Sequence, residues 1–268
     1  MEHASEHGAE LYKASRTTAS RDQGPFRTNF NFPGRNRPGH DDHGYGPLST
    51  VVESFMDPGT LIPMHQHRNE EIVSWVPAGV MRHDDGEGNR LVTDAEHLLV
   101  MNAGSGFWHS EETFADDPPL RMLQIFVRPH ELELEPGIQH EPLPEPVANE
   151  WRRVFAPAGA DHPLTVRNAA SCDDLRLDAG ESVALSRGEE ASAPDVTARE
   201  TTDDRDWDVY FYVFEGEVTA AGRTFGRAES GLWVGGATPT LTATEDAVVV
   251  TFRLDPDAPI TRQGTIGR

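Results

Sequence analysis

From Leu48 to Val127 the chain is built of short runs rich in β-branched and aromatic residues, LSTVVESFM, EEIVSWV, HLLVM and LRMLQIFV, parted by DPG, PAG, HDDGEGN and DDPP. Such runs bounded by Gly, Pro and Asp are strands and turns, and strands at this spacing close into a sandwich or a barrel. The same texture returns after Trp151 in PLTVRNA, ESVALS, VYFYVFEGEV, SGLWVG and AVVVTFRL. Val76-Pro77-Ala78-Gly79 and Val213-Phe214-Glu215-Gly216 lie 137 positions apart, and each reads as a strand that ends in a Gly turn before the next strand. Two copies of one β fold are the expectation.

A length of 268 residues leaves room for two domains of ordinary size. The stretch HELELEPGIQHEPLPEPVANE carries four prolines in an acidic context and reads as a connector, which sets the boundary near residue 145. The expected division is a polar tail over 1–25, one β domain over 26–145 and a second over 146–268. PGRNRPGHDDHGYGP, dense in Gly, Pro and Asp, is expected to be loop.

Composition excludes several function classes. No uninterrupted apolar run approaches the roughly 18 residues of a membrane span. The opening MEHASEHGAELYKASR lacks an apolar stretch and does not read as a secretory signal, so the expected location is the cytoplasm. A single cysteine, Cys172, rules out an intrachain disulfide, a zinc ribbon or a dithiol centre, and any metal must rest on His and carboxylates. Against 45 Asp and Glu stand 23 Lys and Arg, a net charge of -22, and Lys13 is the only lysine. A field of that sign disfavours nucleic acid and anionic membranes, whose binding rests on Lys and Arg neutralising anions. It also suits solubility in a salty cytoplasm, although arginine usage in a GC-rich genome accounts for the missing lysines equally well.

In an extended segment side chains two apart share a face, so the imidazoles of His65 and His67 can reach one ion. An H-x-H pair by itself is also what two hydrated surface histidines look like. His109-Ser110-Glu111, 44 residues downstream and just after the turn GSG, is a second alternate-residue pair able to bind metal. Two strands that each offer two ligands on one face make a four-ligand cup. Three imidazoles and a carboxylate leave open positions on an octahedral ion, as in non-heme Fe(II) oxygenases, and exclude zinc poorly. A structural zinc site would be closed and would use cysteine, whereas an open shell serves catalysis or ligand binding. Glu71 competes with Glu111 for the fourth position if the strand stays regular past His67; otherwise it is expected to accept an imidazole N–H beside the site.

Gly59, His65-x-His67 and Glu71 resemble the first cupin motif, and the form H-x-H-R-x-x-E resembles that of the pirin family. Met101-x-Ala103-Gly104-x-Gly106-x-x-His109-Ser110-Glu111 is similar to that family's second motif, and the two together span 53 residues. The segment Met81-Arg82-His83-Asp84-Asp85-Gly86-Glu87-Gly88-Asn89 resembles the family's E-H-x-D-x-x-G-N hairpin, and Leu123-Gln124-Ile125-Phe126-Val127 its L-Q-I-W strand. The resemblance runs from about Phe26 to Pro136, and more loosely to the end.

This resemblance implies an all-β bicupin, two double-stranded β-helix (jelly-roll) barrels in one chain, with the metal in the N-terminal barrel on His65, His67, His109 and Glu111. It implies Fe(II) first, with zinc, manganese, nickel or copper as other candidates, and favours Glu111 over Glu71 as ligand and catalytic base. Some bacterial pirins open flavonols such as quercetin with O₂, which implies a 2,3-dioxygenase acting on a small aromatic substrate. Others are linked to transcription or metabolic control, which implies instead an iron-dependent redox-sensing module that binds a protein partner. The sequence departs from the family where Glu96-His97 replaces G-D and where Pro77 interrupts the strand after Glu71. Bulky Phe107-Trp108 before His109 bears on pocket volume.

The remaining histidines read as structural. His40-Asp41-Asp42-His43 could hold a cation but sits in a Gly/Pro loop, where solvated polarity is the expectation. His3 and His7 lie in the tail, His83 and His97 at hairpin positions where a backbone hydrogen bond is expected, and His130, His140 and His162 in or beside connectors. At the offset of 137, His65, His67 and Glu71 fall on Thr202, Asp204 and Asp208, and no histidine follows His162. The second barrel is therefore expected to hold no transition metal, and Asp203, Asp204, Asp206 and Asp208 read as a solvated acidic turn rather than a calcium site. Its expected role is to pack against the first barrel, cover its edges and wall the pocket.

Overall fold

The computed structural model describes residues 9–14, 19–185 and 207–266. The apolar runs of the first half form antiparallel strands in two sheets. Seven lie side by side in the order Gly137–Pro142, His97–Asn102, Glu71–Ala78, Leu120–Val127, Leu48–Met56, Phe26–Asn31 and Ala19–Asp22. Four more, Leu61–His67, Phe107–Glu112, Met81–Asp84 and Arg90–Thr93, make a smaller sheet. Met56, Val76, Met81, Leu99, Leu120 and Met122 from both sheets pack into one apolar cluster that closes them as a barrel.

The second half repeats this plan. Glu10–Ala14, Ser230–Val234, Asp208–Glu215, Ala247–Leu254, Ala170–Leu177, Arg152–Pro157 and Thr165–Val166 form the larger sheet, and Ser182–Ala184, Thr240–Ala243, Glu217–Ala220 and Arg223–Gly226 the smaller. Glu71 and Asp208, 137 positions apart, open equivalent strands. The turns that close those strands need glycine for one reason: a Cβ on Gly79 (φ +90) would lie 2.6 Å from Leu120 Cα, and on Gly216 (φ +75) 2.1 Å from the Asp246 carbonyl. The chain is thus all-β with two barrels, the bicupin arrangement. Among the described residues no helix is long and apolar enough to cross a membrane.

The two larger sheets pack face to face. Along Glu71–Ala78, Val73 and Trp75 point to the second barrel and Ile72 and Val76 into the first, as strand alternation requires. Leu123, Ile125, Tyr210, Tyr212, Phe214 and Phe252 join the interface. Three hydrogen bonds cross or line it: Trp75 Nε1 donates to Asp174 Oδ2 at 3.0 Å, Tyr212 Oη to Glu53 Oε2 at 3.0 Å, and Tyr45 Oη to Asp208 Oδ2 at 2.6 Å. Phe211, Val213, Phe225, Leu241 and Val249 fill the interior of the second barrel.

Two stretches that read as tail and connector contain strands. Glu10–Ala14 pairs with Ser230–Val234 on the second barrel, and Gly137–Pro142 with His97–Asn102 on the first. Each covers an otherwise open sheet edge, a task done by backbone hydrogen bonds, so an acidic or proline-bearing sequence can perform it.

Candidate metal centre

Pairing of Leu61–His67 with Phe107–Glu112 sets His65 directly opposite His109. Pro63 has no N–H for the ladder, and a register shift between His109 and Glu111 absorbs it. The strand into His109 follows a turn that only glycine can make, since a Cβ on Gly104 (φ +49) would meet the Leu134 carbonyl at 2.1 Å. The His65 and His67 rings lie 4.9 Å apart by centroid, and 4.5 and 5.2 Å from that of His109. Each of the three offers a ring nitrogen, and these atoms lie within 4.8 Å of one another.

Neighbouring acceptors set the tautomers. Carbonyls and carboxylates only accept, so His65 Nδ1 donates to the Pro63 carbonyl at 2.9 Å and His67 Nδ1 to Glu70 Oε1 at 2.5 Å. Both Nε2 lone pairs are left for another partner. His109 Nε2 is buried and without a partner among the described residues. A buried orphan nitrogen beside two anchored imidazoles fits a transition-metal ion and fits little else in a polar cup. Burial pushes the His65 pKa down and that of His109 down to about 2, helped by the other imidazoles, so the rings stay neutral as ligation requires.

Glu111, the expected fourth ligand, is buried on the same strand, but its carboxylate lies outside the three-histidine group. Gln124 Nε2 donates to both of its oxygens, at 2.9 and 3.1 Å. Burial pushes its pKa up, against the opposing pull of His67 and Gln124.

Three readings of single residues need correction; the simplest is His97, whose Nδ1 donates to the Asp94 side chain and not to backbone. The carboxylate beside His67 is Glu70; Glu71, one residue on and turned to the opposite face, accepts from Arg167 Nη2 at 2.7 Å, Arg167 Nε at 3.0 Å and Asn102 Nδ2. Glu71 therefore ties the first barrel to the second instead of serving an imidazole. His83 does not bond backbone: it is buried, and its Nδ1 lies 3.2 Å from His109 Nδ1. Its place on Met81–Asp84, paired with Phe107–Glu112, brings it there. The H-x-D of the hairpin was the only signal of it in the sequence.

Elsewhere the histidines are engaged locally. His40 Nε2 donates to the Gly44 carbonyl, His97 Nδ1 to Asp94, His130 Nδ1 to the Arg167 carbonyl and His140 Nε2 to the Val92 carbonyl, and His162 contacts Leu164. Asp42 of the loop HDDH is held by Arg128 at 2.7 Å and Arg262 at 2.9 Å, and His43 Nε2 lies beside the Ser49 hydroxyl. Asp208 accepts from Tyr45 and the Gly235 N–H. His3, His7, Thr202, Asp203, Asp204 and Asp206 lie outside the described residues.

A shallow pocket, partly open to solvent, borders the cup. Phe26, Phe30, Val52 and Phe126 give it an apolar wall, with Gln124, Arg21, Gln23 and Ile266 around it. Gln124 is the residue that holds Glu111, and the Phe126 ring lies 6.3 Å from that of His67. Of the bulky pair before His109, Phe107 packs inward against the cluster of Val52 and Phe126, whereas Trp108 is 53% exposed.

Residues 14–127 match the sequence model of the Pirin family. A Mycobacterium tuberculosis protein provisionally named quercetin 2,3-dioxygenase is 30% identical over 162 residues, 59% of this chain and 66% of its own length, so the chain spans just under two thirds of that relative. A Pseudomonas aeruginosa protein with the same provisional name is 30% identical over 170 residues, 62% of this chain and 72% of its own. Among solved structures, the bacterial pirin YhhW of Escherichia coli in complex with nickel(II) superposes with a TM-score of 0.72 at 22% identity, over 93% of this chain and all of that one. The motifs, the two-barrel architecture and these similarities agree, and the chain belongs to the pirin family.

Proposed function

We propose that the chain binds one divalent transition-metal ion, Fe(II) foremost, through His65, His67, His109 and Glu111, and is a dioxygenase for a flavonol-like aromatic substrate. Three imidazoles converging beside an aromatic-walled pocket carry this reading. Manganese, nickel, copper and zinc suit the same donors. A bound iron would supply Lewis acidity and one-electron chemistry toward O₂.

The chain's own residues supply the rest. Phe26, Phe30 and Phe126 would stack a planar ring system and exclude water from it. Glu111, buried and raised in pKa, can take the proton of an enolic hydroxyl and hold it on a carboxyl oxygen. Gln124, which lines the pocket, holds that carboxylate by its amide N–H. Names borne by relatives at about 30% identity point to the same substrate class.

The test is metal content followed by turnover. Purified protein should hold close to one transition-metal ion per chain, and the iron form should bleach quercetin absorbance in the presence of O₂. Full occupancy with quercetin untouched would sink the dioxygenase. It would favour a second reading, a redox-sensing module that binds a protein partner. Exposed Leu61, Met64 and Trp108 on the two strands that carry the histidines would then be its docking face.

A further inference from the structure

After the last strand, Ala247–Leu254, the chain leaves the second barrel and runs back over the first. It is fastened on the way: the Thr261 N–H donates to the Pro129 carbonyl at 3.2 Å, and Arg262 Nε to Asp42 at 2.9 Å. Thr265 Oγ1 then accepts from the Arg68 N–H at 3.0 Å, and the Ile266 N–H donates to Glu70 Oε2 at 3.0 Å. Glu70 is fully buried, and its other oxygen accepts a hydrogen bond from His67 Nδ1. The Ile266 side chain meanwhile forms part of the wall of the aromatic pocket.

One residue at the far end of the second barrel's chain thus touches two parts of the first barrel's site, the pocket by its side chain and an imidazole-bearing carboxylate by its amide. A carboxylate that receives an imidazole N–H fixes ring orientation and raises the basicity of the opposite nitrogen, and losing such a partner weakens metal affinity by about 10- to 100-fold. How Glu70 is aimed therefore matters to whatever His67 holds. Arg68 and Asn69, the residues between His67 and Glu70, are themselves clamped by Glu133, so the short loop is held from two sides.

We propose that residues 262–266 form a strap in which the Ile266 amide positions Glu70 on His67 while the Ile266 side chain walls the pocket, so that the grip on the metal and the fit of an aromatic ligand are both set by the second barrel's last segment. This rests on the reading of His67 as a metal ligand. Glu70 and Ile266 are positioning residues: neither meets the ion, and each acts through a neighbour.

The experiment separates amide from side chain in the full-length protein loaded with Co(II), a spectroscopic substitute for the native metal. Ile266→Pro removes the N–H, Ile266→Ala keeps it and trims the wall, and Ile266→Val keeps both. Chelator competition and the visible Co(II) spectrum read the metal; a quercetin absorbance titration under nitrogen reads the pocket. Expected are an approximately tenfold loss of Co(II) affinity with an altered spectrum for Ile266→Pro, shared by a chain ending at Gly264, and a larger loss for Glu70→Gln. Ile266→Ala should leave Co(II) affinity within about twofold and weaken quercetin several-fold, with Ile266→Val like wild type. If Glu70→Gln perturbs the Co(II) spectrum while Ile266→Pro and the shortened chain do not, the strap does not position Glu70 and the proposal fails. If His67→Ala leaves Co(II) binding intact, the metal assignment itself is wrong and the strap falls with it. Equal effects of Ile266→Pro and Ile266→Ala on metal and quercetin would also overturn it, because amide and side chain would then have no separate tasks.

Discussion

His83 Nδ1 lies 3.2 Å from His109 Nδ1, so one proton between the two rings decides which nitrogen of His109 is free. If His109 donates, its Nε2 lone pair faces the cup and His83 carries its proton on Nε2, the atom that is buried without a partner among the described residues. The reverse arrangement would put a proton on His109 Nε2 and close it to metal. A metal ion held by His109 would therefore select the first tautomer, with His83 as the acceptor.

Replacing that acceptor should weaken the site without emptying it. His83→Phe keeps the volume and removes the nitrogen, and metal affinity should fall by about 10- to 100-fold with stoichiometry still near one at saturating metal. Isothermal titration against a competing chelator checks this, and unchanged affinity would reduce His83 to core packing.

The same pair gives the metal-free protein a pH dependence. Burial pushes His83 down to about 4 and His109 down to about 2, while in the unfolded chain both titrate near pH 6.5. Between those limits the unfolded state binds protons that the folded state refuses, so stability falls as pH drops from about 6.5 toward 4. Thermal melts of metal-free protein should show this slope, and His83→Phe should flatten it.

The two glutamates should separate cleanly. Glu111→Gln should keep a measurable fraction of bound metal, since three imidazoles remain, and lose most turnover with its base. Glu71→Gln should leave metal content unchanged and instead cost about 3 kcal/mol of stability, because Arg167 loses a fully buried partner. Metal analysis beside urea unfolding distinguishes the two, and loss of metal in Glu71→Gln would restore it to the coordination shell.

Asp42 ties the first barrel's loop to buried Arg128 and to Arg262 of the strap, and these guanidiniums, with the Gly44 N–H, hold its carboxyl well below the usual range despite burial. A depressed carboxylate stabilises the fold fully above its unfolded value, about pH 3.9, and ceases to do so as pH falls through its folded value. Asp42→Asn should therefore cost about 3 kcal/mol at pH 7, and the gap to wild type should narrow below pH 4. A gap independent of pH would mean that the ion pair is not its source.

With a net charge of -22, carboxylate repulsion should be relieved by screening, and the melting temperature should rise between low and molar KCl. A flat or falling trend would assign the shortage of lysine to codon usage.

What the sequence by itself determined follows from local periodicity. Strand alternation puts His65 with His67 and His109 with Glu111 on single faces, and the paired glycines at 79 and 216 announce a repeated turn, because each of these depends only on residues close in the chain. Tertiary structure alone decided the rest. Glu71 and Glu70 are adjacent acids of the same type, and only the packing of Arg167 from the second barrel on one face and His67 on the other gives them different tasks. His83 stands among ordinary hairpin residues until strand pairing sets it against His109, 26 positions away. Ile266 comes to Glu70 across 196 positions, a distance over which no spacing rule carries information. Edge strands escape the sequence for a related reason: Glu10–Ala14 and Gly137–Pro142 are held through their backbones, which every residue but proline shares.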